Sequence, residues 1–499
     1  MKNKLLLSGV LTFLLSIVVV IYWALLKTNF NFTYPLDDSY IHLAIAKNLA
    51  QYGVWGVTKF EFTSASSSPL YTIIIATLIK LFGNNLYIPL LLNIGIGFAI
   101  VAIASKFIKE HFSNIPKIYY YLVLNLFILF LPLHTIVFLA MEHTLHCLFV
   151  LLLFIEFYKY LNGKLTNQYL LPLYSFLSLS TRYETLFILF PIAMVLLYKK
   201  DYKLLILTSI AGAVSIFGFG AYFISQGGRL LPYSVLVKGD SPQMNLQSII
   251  EYLKIVWMKF IINKGASTVL LSSIALMAFS FYKKLHKTNF EIFAIITITT
   301  VITLIHTFIG GPGHFFRYES YIITLFFFSV LVIYNRIGKT ILIKCLILFT
   351  LLGVSARIYQ SFIKTPQASQ NIYEQQIQMS NYVAKHKEIE SIVLNDIGAI
   401  AYFNSDVKIL DVWALATPEL SEFVLWEKKA GLPVKITTQM KKELIGKLSK
   451  EKGIDFVMIY PNLFQTLVQD NWKLTDSLVM KSKRVVCADT LVYFFKVNK

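Results

Sequence analysis

A series of long apolar runs constrains this chain more than any other feature of its sequence. A helix needs roughly 20 apolar residues to cross the about 30 Å of hydrocarbon in a bilayer. Such runs recur from residue 5 to residue 357 and then stop. The chain is 56% hydrophobic, whereas soluble domains contain roughly 45–50% apolar residues. A single water-soluble globule is therefore excluded, and the sequence predicts an all-α polytopic membrane bundle followed by a hydrophilic C-terminal region.

The positive charge of the chain is explained by membrane topology better than by a nucleic-acid partner. The formal net charge is +19, and much of the excess lies in short clusters between apolar runs, where cytoplasmic loops are enriched in lysine and arginine. We expect these clusters in the cytoplasm: Lys106/Lys109/Lys117, Lys159/Lys164, Lys199/Lys200/Lys203, Lys283/Lys284/Lys287 and Arg336/Lys339/Lys344. The first helix, 5–26, has no small-residue cleavage pattern after it. The sequence predicts an uncleaved first helix with a cytoplasmic N-terminus.

Placing all basic clusters on one side of the membrane fixes the parity of the spans between them, because an even number of crossings must separate any two clusters. The predicted bundle has about eleven spanning or half-spanning helices, at 5–26, 87–105, 118–133, 144–160, 204–224, 266–282, 290–309, 318–334 and 340–357, with a hairpin of two short helices at 168–181 and 184–198. The apolar run 69–82 has no crossing of its own, so we expect it to be interfacial or re-entrant. The same parity places the C-terminal region and the segments 27–68, 225–264 and 310–317 on the outer, periplasmic side.

The C-terminal region has a different pattern. We divide the chain into a transmembrane domain, 1–358, and a C-terminal domain, 359–499. In the latter, a helical pattern at 371–385 precedes strand-like segments at 391–395, 407–412, 455–460 and 491–497, with a helix near 436–451. This alternation predicts a small extracytoplasmic α/β domain. The three cysteines, two of them within apolar runs, offer no disulfide framework.

Two adjacent carboxylates follow the first helix, in Asp37-Asp38-Ser39-Tyr40-Ile41-His42. In the structural interpretation, one aspartate caps a helix and the other interacts favourably with the helix dipole. Together they would stabilise the helix by about 1 kcal/mol. For an isolated pair this interpretation would be preferred. Glu142 at an outward turn, and Arg182 with Glu184 inside an apolar hairpin, change that balance, because ionisable groups within membrane segments are costly and usually functional.

Several motifs, in this order along the chain, resemble a known family. They are Asp-Asp-x-Tyr at 37–40, Ser-Ser-Ser-Pro-Leu-Tyr-Thr at 66–72, Met-Glu-x-Thr at 141–144, Thr-Arg-x-Glu at 181–184, Gly-Gly-Arg-Leu-Leu-Pro-Tyr-Ser-Val-Leu-Val-Lys at 227–238, Arg-Tyr-Glu at 317–319, Asn-Asp-Ile-Gly-Ala-Ile at 395–400 and Leu-Asp-Val-Trp at 410–413. This series resembles the GT-C superfamily of integral-membrane glycosyltransferases, in its polyprenyl-phosphate-sugar-dependent branch, which includes aminoarabinose, protein O-mannosyl and bacterial arabinofuranosyl transferases. Two departures are Tyr183, where relatives often have proline, and a 69–83 segment without the lysine that some members place before a Pro-Pro pair.

The resemblance implies an inverting glycosyltransferase of the bacterial inner membrane that moves a sugar from a polyprenyl-phosphate carrier to an acceptor hydroxyl on the periplasmic side. Asp37 matches the first aspartate of the family and is the first candidate for the base, with Asp38 next and Glu142 orienting sugar or acceptor hydroxyls. The phosphate candidates are Arg182, Arg229, Lys238 and Arg317, and further substrate-binding candidates are Tyr40, His42, Glu184, His314, Tyr318 and Glu319. The structural alternatives are a solvated turn for Glu142, snorkelling for Arg229 and Lys238, and pairing with Glu184 for Arg182.

The cofactor and partners are less constrained by the sequence. A divalent metal is possible at His42, His143 and His314 with the nearby acids, although no tight ligand spacing supports it; structural histidines are the alternative. We expect a glycan, glycolipid or protein acceptor, contact with the lipid bilayer and no nucleic acid. The C-terminal domain is predicted to bind acceptor or to cover the site, without catalytic residues. Two other functions stay open: a transporter or flippase of lipid-linked sugars, and a non-catalytic envelope assembly protein.

Overall fold

The computed structural model describes residues 2–111, 116–239, 246–310, 315–337 and 341–498. Most of these residues are helical. The helices are α1 Lys2–Lys27, α2 Asp38–Tyr52, α3 Pro69–Phe82, α4 Ile88–His111, α5 Lys117–Phe130, α6 Leu133–Phe138, α7 His143–Leu161, α8 Leu170–Thr181, α9 Leu186–Tyr198, α10 Tyr202–Ser225, α11 Tyr233–Lys238, α12 Leu246–Ile262, α13 Lys264–Tyr282, α14 Leu285–Thr288, α15 Phe290–Ile305, α16 Ser320–Ile337, α17 Ile341–Ile372, α18 Gln378–Lys385, α19 Gly398–Phe403, α20 Pro418–Ala430, α21 Val434–Glu451 and α22 Pro461–Phe464. Short 3₁₀ turns cover Tyr183–Thr185 and Gln465–Leu467, and π turns cover His306–Gly310 and Tyr373–Ile377.

Within the described residues, seven helices are long and apolar enough to cross a membrane. They are Lys4–Lys27, Ile88–His111, His143–Leu161, Tyr202–Ser225, Gly265–Tyr282, Phe290–Gly310 and Ser320–Ile337. Shorter apolar helices, among them the predicted hairpin as α8 and α9, pack between them. The prediction of a polytopic helical bundle is confirmed. The run 69–82 forms the 14-residue helix α3, about 21 Å long at 1.5 Å per residue, which is too short to cross the hydrocarbon alone.

Small and polar residues hold the helices of the bundle together. The hydroxyls of Ser180 and Ser215 lie 2.9 Å apart between α8 and α10, and those of Thr299 and Ser329 lie 2.8 Å apart between α15 and α16. Such bonds stabilise helix pairs where lipid gives little hydrophobic drive for association. Gly97 lets α4 approach α1 closely, because a Cβ there would lie 2.6 Å from the ring of Phe13.

The C-terminal domain is built on a five-stranded mixed sheet. Its strands are β1 Ser391–Leu394, β2 Lys408–Asp411, β3 Phe456–Ile459, β4 Trp472–Val479 and β5 Leu491–Val497, in the order β2-β1-β3-β5-β4. Strand β1 pairs in parallel with β2 and β3 and is buried along its length, which explains its continuous apolar sequence. The four predicted strands and the helix near 436–451 are confirmed. The edge strand β4 was not predicted, because it is mostly exposed and its sequence is polar.

Helix α17 joins the two parts of the chain. It runs without interruption from Ile341 to Ile372, so the predicted domain boundary at 358/359 lies inside one helix. Its far end contacts the end of α1, where Lys27 Nζ lies 3.4 Å from the side-chain oxygen of Gln370. The bundle therefore continues into the C-terminal domain through a helix rather than through a loop.

The two ends of the bundle differ in charge. Helices α7 and α16 both begin beside the acidic and arginine motifs and end at predicted basic clusters. At the basic end Arg336 donates a hydrogen bond of 2.6 Å to the side chain of Asn162, and Lys199 lies over the ring of Tyr160. The polar motifs that carry the family resemblance gather at the opposite end, beneath the C-terminal domain.

Candidate active site

A cavity of about 300 Å³ lies between the end of the bundle and the C-terminal domain. Its walls come from the first turn of α2, the turn before α7, the α8–α9 hairpin, α11, the segment before α16 and one loop of the C-terminal domain. The polar and charged lining residues are Asp38, His42, Ser67, Glu142, Arg182, Tyr183, Glu184, Ser234, Lys238, Arg317 and Tyr318. Eight of the thirteen predicted site residues thus share one cavity.

Asp38 is the carboxylate of the tandem pair that faces this cavity. It lies in the first turn of α2, where its Oδ2 is 2.7 Å from Arg317 Nη2 and 4.0 Å from Lys238 Nζ. The side chain is 28% exposed. Burial opposes ionisation, but the nearby charges of Lys238 and Arg317 outweigh it and hold the pKa of Asp38 below its usual range. Asp38 is therefore ionised at neutral pH.

Arg317 is buried and only partly paired. Besides Asp38, its Nη1 lies 3.0 Å from the sulfur of Met141. Its Nε is buried and has no hydrogen-bond partner among the residues that the structure describes. A buried guanidinium donor without an acceptor is costly, so the described residues leave Arg317 incompletely satisfied.

Glu142 lies at the turn before α7 and is fully buried. The turn is fixed from two sides, because Tyr71 donates to the carbonyl of Ala140 at 3.0 Å and Asn93 to that of Met141 at 2.8 Å. Its carboxylate pairs with Arg182 and lies 3.2 Å from His42 Nε2. Glu142 is therefore held rigidly in the cavity wall and is not a solvated turn residue.

Arg182 lies at the break between α8 and α9 and is enclosed by acids. Its guanidinium binds both carboxylate oxygens of Glu184 and one of Glu142. The ring of Tyr318 lies 5.2 Å from the guanidinium carbons of both Arg182 and Arg317, a distance at which cation–π attraction acts. With two acidic partners, Arg182 has less freedom to bind a further anion than Arg317.

Asp37 has a different environment from Asp38. Its carboxylate accepts hydrogen bonds from the backbone amides of Gly398, at 2.6 Å, and Ala399, at 2.9 Å, in the C-terminal domain. Burial and the nearby charge of Asp396 raise the pKa of Asp37 to about 8, despite these amides. Asp37 is not among the residues that line the cavity, so it serves as a contact between the two parts of the molecule.

Three more predicted site residues lie outside the cavity. Tyr40 packs against Tyr402 and Phe403 of α19, with ring centroids 6.3 and 5.8 Å apart. Arg229 is half exposed and pairs with Glu422 of α20. Glu319 points away from the cavity into a buried ion pair with Arg357 of α17. His314 lies outside the described residues.

Several residues of the site were missed by sequence reasoning. Leu415 of the C-terminal domain lines the cavity, and its apolar side chain carries no signal of function. Met141, which contacts Arg317, belongs to the matched motif 141–144 but was not predicted as a site residue. Arg357 could have been noticed, because an arginine within an apolar run is costly and calls for a partner. The contact from Gly398 to Asp37 spans 361 positions, which no spacing rule detects.

The predicted divalent metal stays a prediction, because His314, one of its three histidine candidates, lies outside the described residues. Among the described residues no group of three histidine, cysteine, aspartate or glutamate side chains is placed to hold a metal ion. The three acids of the cavity, Asp38, Glu142 and Glu184, are each paired with an arginine. A cation would have to displace both guanidinium groups, so the site is better suited to an anion.

The comparisons with known proteins cover the two parts of the chain differently. A family described as "Domain of unknown function (DUF8728)" matches residues 370–495, which include β1 to β4 and most of β5. No curated protein matches the chain.

Two crystal structures of the Archaeoglobus fulgidus oligosaccharyltransferase are similar to this chain. The form tethered by a disulfide bond to an acceptor peptide with the NVT sequon is 12% identical, with a TM-score of 0.49, covering 92% of this chain and 70% of that one. The apo form is 11% identical, with a TM-score of 0.48, covering 92% and 71%.

Proposed function

We propose that this chain is an inverting glycosyltransferase of the GT-C type, which transfers a sugar from a polyprenyl-phosphate carrier to an acceptor hydroxyl at the periplasmic face of the membrane. The proposal rests on one observation: a carboxylate, Asp38, and two cations, Arg317 and Lys238, come from three separate segments to line one cavity. These are the groups that glycosyl transfer from a lipid phosphate requires: a proton acceptor and cations for the leaving phosphate. The motifs that resemble the family supply all three.

Arg317 and Lys238 are the residues that we assign to the donor phosphate. The planar guanidinium can bind two phosphate oxygens at once, and Arg317 has a buried Nε with no partner among the described residues. Lys238 adds a mobile charge from the end of α11, with a side chain that is 43% exposed. Arg182 is held by Glu142 and Glu184, so we assign it the role of fixing these acids.

The lipid chain of the donor would leave the cavity sideways. Part of the wall is apolar and formed by Leu186 and Phe187 at the start of α9 and by Ile309 in the π turn. Leu186 and Ile309 are 42% and 63% exposed and lie at the ends of apolar helices. A polyprenyl chain passing between them would reach the bilayer while its phosphate stays beside Arg317.

Asp38 is our candidate for the base, ahead of Asp37, because it lines the cavity and is ionised. It would accept the proton of the acceptor hydroxyl as that oxygen forms a bond to the anomeric carbon. The bond from this carbon to the phosphate oxygen breaks, and the phosphate leaves with the electron pair. Donor phosphate at Arg317 and Lys238 would neutralise the charges that depress the pKa of Asp38, so donor binding would make this carboxylate a stronger base.

Sugar transfer from labelled lipid donors tests the proposal. Membranes enriched in the protein would be incubated with undecaprenyl phosphate carrying radiolabelled arabinose, mannose, glucose or galactose, with endogenous glycans, glycolipids and proteins as acceptors. We expect transfer of one of these sugars, and a loss of at least 100-fold with Asp38→Asn, within the range for a general base. Lys59→Ala, which removes an exposed ion pair with Asp406 outside the cavity, is the matched control. Movement of the lipid across vesicles without transfer would instead identify a transporter.

A further inference from the structure

We propose that the C-terminal domain is a positioning part of the active site: the amino end of α19 holds Asp37, and Asp37 in turn fixes the direction in which Asp38 enters the cavity. The catalytic consequence rests on the function proposed above, in which Asp38 is the base. Asp37 and Gly398 are then positioning residues, acting through Asp38 without touching the substrate.

Asp37 joins the beginnings of two helices. Its carbonyl accepts hydrogen bonds from the amides of Tyr40, at 2.9 Å, and Ile41, at 3.2 Å, which starts α2. An aspartate at this position usually caps its own helix with its carboxylate. Here the side chain makes no capping bond within α2 and instead binds the first two amides of α19. The start of α2 is therefore tied to the C-terminal domain.

The contact requires glycine at position 398. A Cβ there would lie 2.2 Å from the carbonyl oxygen of Asp37 and 2.8 Å from its Oδ2. Distances this short cannot be accommodated without moving Asp37, and the nearest atom belongs to the backbone. Gly398 thus allows α19 to approach the acidic motif closely enough for its amides to reach the carboxylate.

Asp38 follows Asp37 directly, so a shift in the backbone of one moves the other. The ion pair between Asp38 and Arg317 has an oxygen–nitrogen distance of 2.7 Å, and a displacement of about 1 Å would lengthen it beyond hydrogen-bonding range. Helices α2 and α19 also meet further along, where Lys47 in the second half of α2 donates to the carbonyl of Tyr402 near the end of α19 at 3.0 Å. Two separate contacts therefore hold α19 against α2.

A second loop of the C-terminal domain reaches the same cavity. The carboxylate of Asp411 accepts hydrogen bonds of 2.8–3.0 Å from the amides of Trp413, Leu415 and Ala416. This loop places Leu415 in the cavity wall. Both matched motifs of the C-terminal domain are thus used to shape the site, one through Asp37 and the other through Leu415.

Hydrogen–deuterium exchange of the full-length protein in detergent tests, without any substrate, whether the contact between α19 and Asp37 orders the start of α2. In Gly398→Ala and Asp37→Asn we expect the amides of residues 39–42 to exchange at least tenfold faster than in the wild type. In the control Lys59→Ala, which loses another contact with the C-terminal domain, they should exchange at the wild-type rate. Unchanged exchange in both variants would overturn the proposal. If Gly398→Ala does not accumulate, Asp37→Asn carries the test.

Steady-state kinetics test whether Asp37 and Gly398 position Asp38 for catalysis. The substrate is the sugar donor that the wild type uses. Positioning predicts that kcat falls at least tenfold in both variants while the KM for donor changes less than threefold. The two effects should not multiply in the double variant, because both substitutions break the same contact. Effects on kcat that multiply in the double variant would contradict the positioning role. A loss of activity no larger than that of Lys59→Ala would contradict it as well. A wild type that transfers no sugar refutes the proposed function, whereas the exchange data still decide whether α19 orders the start of α2.

Discussion

The tandem aspartates show how two adjacent identical residues acquire different properties. Asp38 lies among the cations of the cavity, whereas Asp37 is bound by backbone amides of the C-terminal domain. The sequence could predict that both lie at the mouth of the bundle, since they follow the first helix directly. It could not predict which one enters the cavity, because this depends on a contact with Gly398, far away in the chain.

Replacing Arg317 by lysine tests its assignment to the donor phosphate. The variant keeps the charge but loses the planar fork that binds two oxygens, so we expect undecaprenyl phosphate to bind about tenfold more weakly than to the wild type. Binding to purified protein can be measured by microscale thermophoresis, with Lys59→Ala as the control. Equal affinity in wild type and Arg317→Lys would remove Arg317 from the phosphate site.

The raised pKa of Asp37 predicts a pH-dependent stability. A carboxyl group with a pKa of about 8 in the folded protein, against 3.8 for an aspartate in water, binds its proton more tightly when folded. Its contribution to stability is therefore fully present below about pH 4 and is lost as the pH rises towards 8. Between pH 6 and 8 the free energy of unfolding should fall by at most about 1.4 kcal/mol per pH unit from this group.

Thermal unfolding in detergent at pH 6, 7 and 8 measures this slope. The wild type should lose stability as the pH rises, and Asp37→Asn should lose less, because the titrating group is gone. Asp396 contributes in the same direction, since burial raises its pKa as well, so the slope of the variant need not reach zero. A variant with the full slope of the wild type would show that Asp37 is not the titrating group.

A buried ion pair locks α16 to α17. Arg357 binds Glu319 and donates to the carbonyl of Phe316 at 2.8 Å. Removing one partner of a buried pair leaves an uncompensated charge, at a cost of about 3–5 kcal/mol. We expect Arg357→Met to lower the thermal midpoint strongly and Arg357→Met with Glu319→Gln to recover much of the loss. A double variant as unstable as the single one would show that the loss of stability comes from lost packing and not from an uncompensated charge.

The elements themselves could be predicted well where periodicity and burial agree. The apolar helices and the buried strands β1 and β3 have such patterns, and they were found near their predicted positions. Strand β4 alternates poorly because it is a mostly exposed edge. The boundary at 358/359 marked a change in composition, but α17 keeps its helical hydrogen bonds across it, since polarity can change along one helix without ending it.

The predicted orientation of the protein in the membrane can be tested by cysteine labelling. The cavity and the basic clusters lie at opposite ends of α7 and α16, which the predicted topology requires. With native Cys345 replaced by alanine, a membrane-impermeant maleimide should label Asp470→Cys in intact spheroplasts, whereas Lys164→Cys should react only after permeabilisation; both positions are exposed. The reverse result would place the C-terminal domain and the cavity in the cytoplasm.

The hydrogen bonds from Gly398 and Ala399 to Asp37 also limit how this protein can be recombined. The acidic motif near the start of the chain and the Asn-Asp-Ile-Gly turn near its end form a single unit in space. Chimaeras that join the bundle of one relative to the C-terminal domain of another should work only when both stretches come from the same parent.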